Sequence, residues 1–134
     1  MNLADITQAA NAFTDENYNS TIIMHYVNTA IGIINSRLKA KLPFITSEVD
    51  DYEALDDSWI MSLLVPYAAY GIKMNDGSLN EAQNYLMAFE SAMRDLEESK
   101  LTAISEEYRE PGFNGVYKAD LSRGINVGWF GRRR

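Results

Sequence analysis

The chain has 134 residues, of which 46% are hydrophobic, enough for one core in one domain and too many for global disorder. Twelve Lys and Arg against nineteen Asp and Glu leave a net charge of −7, which disfavours a sequence-wide polyanion-binding protein, because phosphate contacts need clustered cations. There is no cysteine and a single histidine, His25, so disulfides, thiolate catalysis, cysteine-held metals and sites of several imidazoles in one chain are all ruled out.

Residues 1–13 carry no basic run and no long apolar run, and no stretch approaches the ~20 apolar residues that span a bilayer. The expectation is a soluble protein with no membrane partner. Leu3 to Phe13 is a candidate helix, and Thr14-Asp-Glu-Asn17 reads as a connector. A second helix should start near Ser20 or Thr21. There Ile23, Val27, Ala30, Ile31, Ile34 and Leu38 recur at steps of three and four and so share one face. It should end near Lys41, because Leu42 precedes Pro43 and is pushed out of the α region. Residues 43–56 read as an acidic linker, and Asp56 or Asp57 as the cap of a third helix with Ile60, Leu63, Leu64, Tyr67 and Gly71 on one face. Pro66 inside that helix should kink or break it, since it lacks the backbone donor.

Asn75-Asp-Gly77 is a stop, and Ser78-Leu-Asn-Glu81 has the spacing of a capping box opening a fourth helix. Ala82, Leu86, Phe89, Met93 and Leu96 make a heptad-like seam, and the pattern can continue to Tyr108. A thirty-residue helix would be ~45 Å long. A globule of this size has a radius of gyration of only ~14 Å, so such a helix must project towards a partner copy or break. The fold class is therefore mainly α: a small helical bundle over residues 1–111 with one long C-terminal helix. An extended arm, residues 112–134, follows it, with short strand-like pieces at 115–119 and 125–127 suited to a sheet edge on another chain.

Charge divides the same way. Residues 112–134 hold five basic residues and one acidic, a charge of +4, and the rest of the chain holds seven and eighteen, a charge of −11. The arm ends in Trp129-Phe-Gly-Arg-Arg-Arg134, and large aromatics with arginines are the residues that dominate interfaces. Docking on another subunit is the expected use of Trp129 and Phe130; folding back on their own body is the alternative. An electrostatic contact between the arm of one copy and the acidic run 48–57 of another is conceivable, but the simpler reading of that run is a solvated loop.

No catalytic or phosphate-binding signature is present. His25 lies one position beyond the apolar stripe of its helix and reads as a structural or surface residue. The acidic run lacks the spacing of a calcium loop. Glu97-Glu98 and Glu106-Glu107 read as solvated faces, and Tyr67 and Tyr70 as core. No cofactor and no metal are expected.

Asp51-Tyr-Glu-Ala-Leu-Asp-Asp-Ser-Trp59, Leu63-Leu-Val-Pro-Tyr-Ala-Ala-Tyr-Gly-Ile-Lys-Met-Asn-Asp-Gly-Ser-Leu-Asn-Glu-Ala82 and the ending Gly115-Val-Tyr-Lys118 … Ile125-Asn-Val-Gly-Trp-Phe-Gly131 together resemble head–tail connector (adaptor) proteins of tailed bacteriophages of Gram-positive hosts. The resemblance implies a non-enzymatic structural protein of the virion, made in the host cytoplasm and placed at the head–tail junction. It implies a homo-oligomeric ring of twelve copies under the portal protein that meets a downstream neck, stopper or tail protein, with DNA passing through the channel without specific binding. Portal or neighbour docking would fall on Phe113, Val116, Tyr117, Ile125, Val127, Trp129, Phe130, Arg132, Arg133 and Arg134. The competing reading is a helical protein-interaction or regulatory module whose C-terminal stretch is a recognition peptide. An enzyme built on His25 and a carboxylate is a distant third.

Overall fold

The computed structural model describes residues 1–113, which form a mainly helical bundle. Helix α1 spans Leu3–Thr14 and α2 spans Ser20–Leu38. The third helical run joins three pieces: α3 (Asp57–Trp59), a π-helical turn (Ile60–Leu64) and α4 (Val65–Asn75). Helix α5 spans Leu79–Ala103, and a 3₁₀ turn covers Glu106–Tyr108. Among the described residues no helix is long and apolar enough to cross a membrane.

Helix α4 lies in the centre, packed against α1, α2 and α5. Its sequence explains this position: Val65, Pro66, Ala68, Ala69, Gly71 and Ile72 are buried on nearly every side, and their small side chains let three neighbours approach. Around it, α2 buries the stripe Ile23, Val27, Ala30, Ile31, Ile34 and Leu38, as its periodicity predicts. Helix α1 adds Leu3, Ile6 and Ala10. On α5, Ala82, Phe89, Met93 and Leu96 are buried and Leu86 is half-buried. That seam therefore closes on the chain's own α4 and π turn and not on a neighbouring copy. Helix α5 also stops well before Tyr108. Ile104 turns extended and drops fully into the core, so the long helix resolves as a break.

Pro66 explains the π turn. Its ring has no N–H and crowds the carbonyl one turn earlier. The ladder widens just ahead of it, with the Val65 N–H bonded to Ile60 O, and the helical run continues. The expected kink is thus a local widening within one helical run.

The caps differ from expectation. The box at Ser78 and Glu81 does not form: Ser78 is the N-cap but its side chain makes no capping bond, and Glu81 pairs with Lys73. A reciprocal box forms instead at α1. There the Asp5 N–H donates to Asn2 Oδ1 at 2.9 Å and the Asn2 N–H donates to Asp5 Oδ2 at 3.1 Å. Asp56 is the N-cap of α3 through its backbone, its carbonyl accepting from the Trp59 and Ile60 N–H groups. Helix α2 ends at Leu38 and not at Lys41, because Lys39 adopts the left-handed conformation (φ 57°) and its N–H caps Asn35 O.

The acidic linker is pinned along α2 by two asparagines. Asn35 Nδ2 donates to Leu42 O (3.1 Å) and its Oδ1 accepts from the Leu42 N–H (2.9 Å). Asn28 does the same for Ile45 at 3.0 and 2.8 Å. The spacing is geometrically required. Seven helical residues rise ~10.5 Å, and three extended residues cover ~10 Å, so 35 pairs with 42 while 28 pairs with 45. A third clamp of this kind, Asn11 on Tyr18, holds the α1–α2 connector. Leu42, Ile45, Tyr52, Ala54 and Leu55 of the linker are consequently buried, and the Tyr52 hydroxyl donates to Pro43 O at 2.8 Å. Burial pushes the Tyr52 phenol well above its ordinary range.

Candidate functional site

Two features of the described surface have the shape and chemistry of a recognition site. The first is a groove of about 410 Å³ between α2 and α4, lined by His25, Tyr26, Thr29, Tyr67, Tyr70, Gly71, Met74 and Asn75. It runs on through Tyr70 and Met74 into a second hollow of about 260 Å³ against Leu79, Gln83 and Leu86 of α5. The lining is aromatic and aliphatic, and Met74 (45%) and Leu79 (60%) are well exposed.

Local sequence builds the groove. Tyr26 and Thr29 sit one helical step off the buried stripe of α2 and flank it at the surface. On α4 the close neighbour of Tyr26 is Gly71. A Cβ at position 71 would lie 2.5 Å from Tyr26 Cγ and Cδ1, so the ring rests directly on the helix backbone. Tyr67 stacks edge-on against Phe89 at 4.9 Å and tilts against Tyr70 at 5.3 Å, which fixes the groove floor. Partial burial raises the Tyr67 phenol above its usual value. Tyr67 and Tyr70, read from sequence as core, are in fact half-buried walls of this groove. His25 is exposed at its rim, its ring 5.9 Å from that of Tyr26, in keeping with a surface histidine.

Acidic side chains lie beside the groove, next to its lining residue Asn75. Asn75 donates to the Tyr18 hydroxyl at 2.9 Å, and that hydroxyl donates to Asp76. Lys73, almost buried, reaches Glu81 at 3.6 Å and Glu16 at 3.7 Å. One ammonium therefore faces Glu16 and Glu81, with Asp76 next to them. Glu16 shares a hydrogen bond with Asp76, which holds its carboxyl above the ordinary 4.5.

The second feature is a cavity of about 270 Å³ in the linker, with Pro43, Phe44, Asp50, Asp51, Glu53 and Tyr108 among its lining residues. It contains much of the acidic run. Among the described residues no group of three or more His, Asp or Glu side chains is arranged to hold a metal ion.

Between these features and the rest of the chain lies the exit segment. Ala40 and Arg109 form an antiparallel bridge; the Lys41 N–H donates to Tyr108 O at 2.7 Å and the Glu110 N–H to Lys39 O at 2.9 Å. Arg109 donates to Ile104 O at 3.0 Å and Leu101 O at 2.8 Å, and its guanidinium stands 5.3 Å from the centre of the Phe113 ring. Phe113 is only 3% exposed. Phe113, read from sequence as a docking contact, packs in the core cluster of the described residues. Val116, Tyr117, Ile125, Val127, Trp129, Phe130, Arg132, Arg133 and Arg134 lie outside the described residues, as do the strand-like pieces at 115–119 and 125–127.

Sequence reasoning missed the groove itself. The signal was present in Tyr26 and Thr29 flanking the stripe of α2 and in Tyr70 and Met74 four apart on α4. That the two helices meet through a glycine is a tertiary fact that spacing alone does not contain. Comparison with protein-family models, curated proteins and solved structures finds no match to this chain.

Proposed function

We propose that this protein is a structural adaptor of a tailed-bacteriophage head–tail junction, assembling as a ring beneath the portal, extending the DNA channel and offering a platform to the next neck or tail protein. The observation that carries the reading is the division of the chain. An acidic helical body, closed through Phe113, is followed by a cationic segment ending in Trp129, Phe130 and three arginines. The charge and aromatic content of this segment suit an adjoining molecule. The likeness of residues 51–82 and 115–131 to connector proteins gives that molecule a name: the portal or a neighbouring copy.

The mechanism is assembly. Aromatic burial supplies the affinity. The opposite charges of body and segment steer the encounter and weaken with salt. A chain shortened by residues 114–134 should fold with unchanged helicity and fail to join portal-bearing heads; normal joining by the shortened chain would exclude the reading. Native mass spectrometry with and without portal separates the adaptor from a regulatory helical module, which would bind a cellular protein and ignore the portal.

A further inference from the structure

The apolar α2–α4 groove has an acidic cluster, Glu16, Asp76 and Glu81, beside its Asn75 edge, and the sequence Trp129-Phe-Gly-Arg-Arg-Arg134 runs from aromatic to cationic. We propose that this groove seats the Trp129–Arg134 segment of a second copy of the chain. The two aromatic rings would lie over Tyr26, Tyr70, Met74 and Leu79, and the arginines would face Glu16, Asp76 and Glu81. The proposal rests on the adaptor reading and names the surface through which neighbouring copies in the ring engage.

Three observations support this occupant. The first is charge. The acidic cluster has one ammonium, Lys73, against Glu16 and Glu81, with Asp76 alongside, and incoming guanidiniums supply what is missing. The raised carboxyl of Glu16 reports the same crowding of negative charge. The second is apolar area. Met74 and Leu79 are long aliphatic side chains in water, beside three tyrosines that offer stacking faces. The third is direction. Phe113 sits against Lys41 and Leu101, at the far end of the bundle from the groove. Gln83 to Leu101 on α5 alone measures ~27 Å. An exit at one end and a seat at the other is a head-to-tail contact, the kind that forms a ring when its rotation closes. Residues 114–128 reach at most ~50 Å, longer than the ~27 Å that separates exit and groove along α5.

The test uses the full chain in a Trp59→Phe background, where Trp129 is the only indole. Its emission and the particle mass are followed from low to high micromolar concentration. Blue-shifted emission should appear together with association, and added salt should reverse both. Met74→Asp and Trp129→Ala should each weaken association by about tenfold or more. Leu79→Asp, at the first residue of α5 and already 60% exposed, gives the same result without altering α4. Mixing the Met74→Asp and Trp129→Ala chains should restore pairwise association, because one supplies an intact segment and the other an intact groove.

Blue-shifted emission that ignores concentration would mean the segment occupies its own groove, and would overturn the proposal. So would failure of the mixture to associate, or loss of association in Asp50→Asn/Asp51→Asn/Glu53→Gln with Met74→Asp unaffected, which would move the seat to the linker cavity. Wild-type chains whose Trp129 stays in water at every concentration would also overturn it. None of these outcomes decides whether the chain joins portal-bearing heads, so the groove can fail while the adaptor reading stands.

Discussion

Replacing Gly71 with alanine tests the central packing of the bundle. In an ordinary helix this exchange stabilises by about 1 kcal/mol, because alanine loses less backbone freedom. Here the new methyl would meet Tyr26 Cγ and Cδ1 at 2.5 Å and Cδ2 at 2.7 Å, far inside contact distance. Those atoms lie near the root of the tyrosine ring, so the ring cannot simply bend its tip away. Either α2 and α4 separate or Tyr26 changes rotamer and leaves the groove. Overpacking of this kind costs about 1–3 kcal/mol, which exceeds the helix gain. The expected net loss is about 1 kcal/mol, a fall in Tm of about 4 °C for a chain of this size. The decisive control is Tyr26→Ala. With the ring gone, Gly71→Ala should raise stability by about 0.5–1 kcal/mol, so the cycle has a coupling energy of about 2 kcal/mol. Urea unfolding followed by circular dichroism measures all four proteins. A Gly71→Ala chain as stable as the parent, or an equal effect in both backgrounds, would refute the close approach of ring and backbone.

Asn28→Asp should destabilise by about 2 kcal/mol, measured by thermal unfolding, because a carboxylate oxygen would replace the donor that faces Ile45 O. Asn28→Ala, which merely deletes the clamp, should cost less. Arg109→Ala removes the donors to Ile104 O and Leu101 O and the cation beside Phe113; it should speed proteolysis and amide exchange over residues 104–113 while the rest of the bundle stays protected. The two perturbed carboxyls predict opposite pH effects. Glu90 is held below 4.5 by the bidentate Arg37 guanidinium, at 2.9 Å on both arms, so its contribution is present above 4.5 and lost as pH falls through the lowered value. Both partners are over a third exposed, so screening limits the pair to about 0.5 kcal/mol. Glu16 is raised by Asp76, so protonation favours its folded form and stability is gained as pH falls through the raised value towards 4.5. Glu16→Gln should therefore outperform the parent most at neutral pH, with the difference fading in acid; a constant offset across that range would refute the assignment.

Much of the bundle is legible in the sequence because its helices are amphipathic on their own terms. The stripe of α2 appears residue for residue, and the seam of α5 is buried where its spacing places it, Leu86 alone remaining half-buried. What sequence hides is what side chains do across elements. Residues 43–56 have the composition of a loose acidic connector, yet Asn35 holds the backbone just before them at Leu42 and Asn28 holds it at Ile45, as a strand partner would. Ser78 and Glu81 have the spacing of a capping box, but Lys73 draws Glu81 away. Tyr67 and Tyr70 have the apolar bulk of core residues, and only the packing of α4 among its neighbours leaves them half open. Phe113 follows a Pro-Gly pair that signals an ending, whereas the Ala40–Arg109 bridge brings the chain back to cover the core once more.

The asparagine clamps also bear on how the molecule comes together. Asn11 with Tyr18 and Asn35 with Leu42 each close a loop of seven residues, a small entropic demand compared with joining distant helices. A nascent α2 can therefore lay its trailing strand along its own flank before α4 or α5 exists, and Asn28 then extends that zip to Ile45. When the central helix arrives it meets a helix already edged with backbone and carrying Leu42 and Ile45 in place. Registration of the acidic stretch thus rests on contacts close in sequence, within residues 28–45.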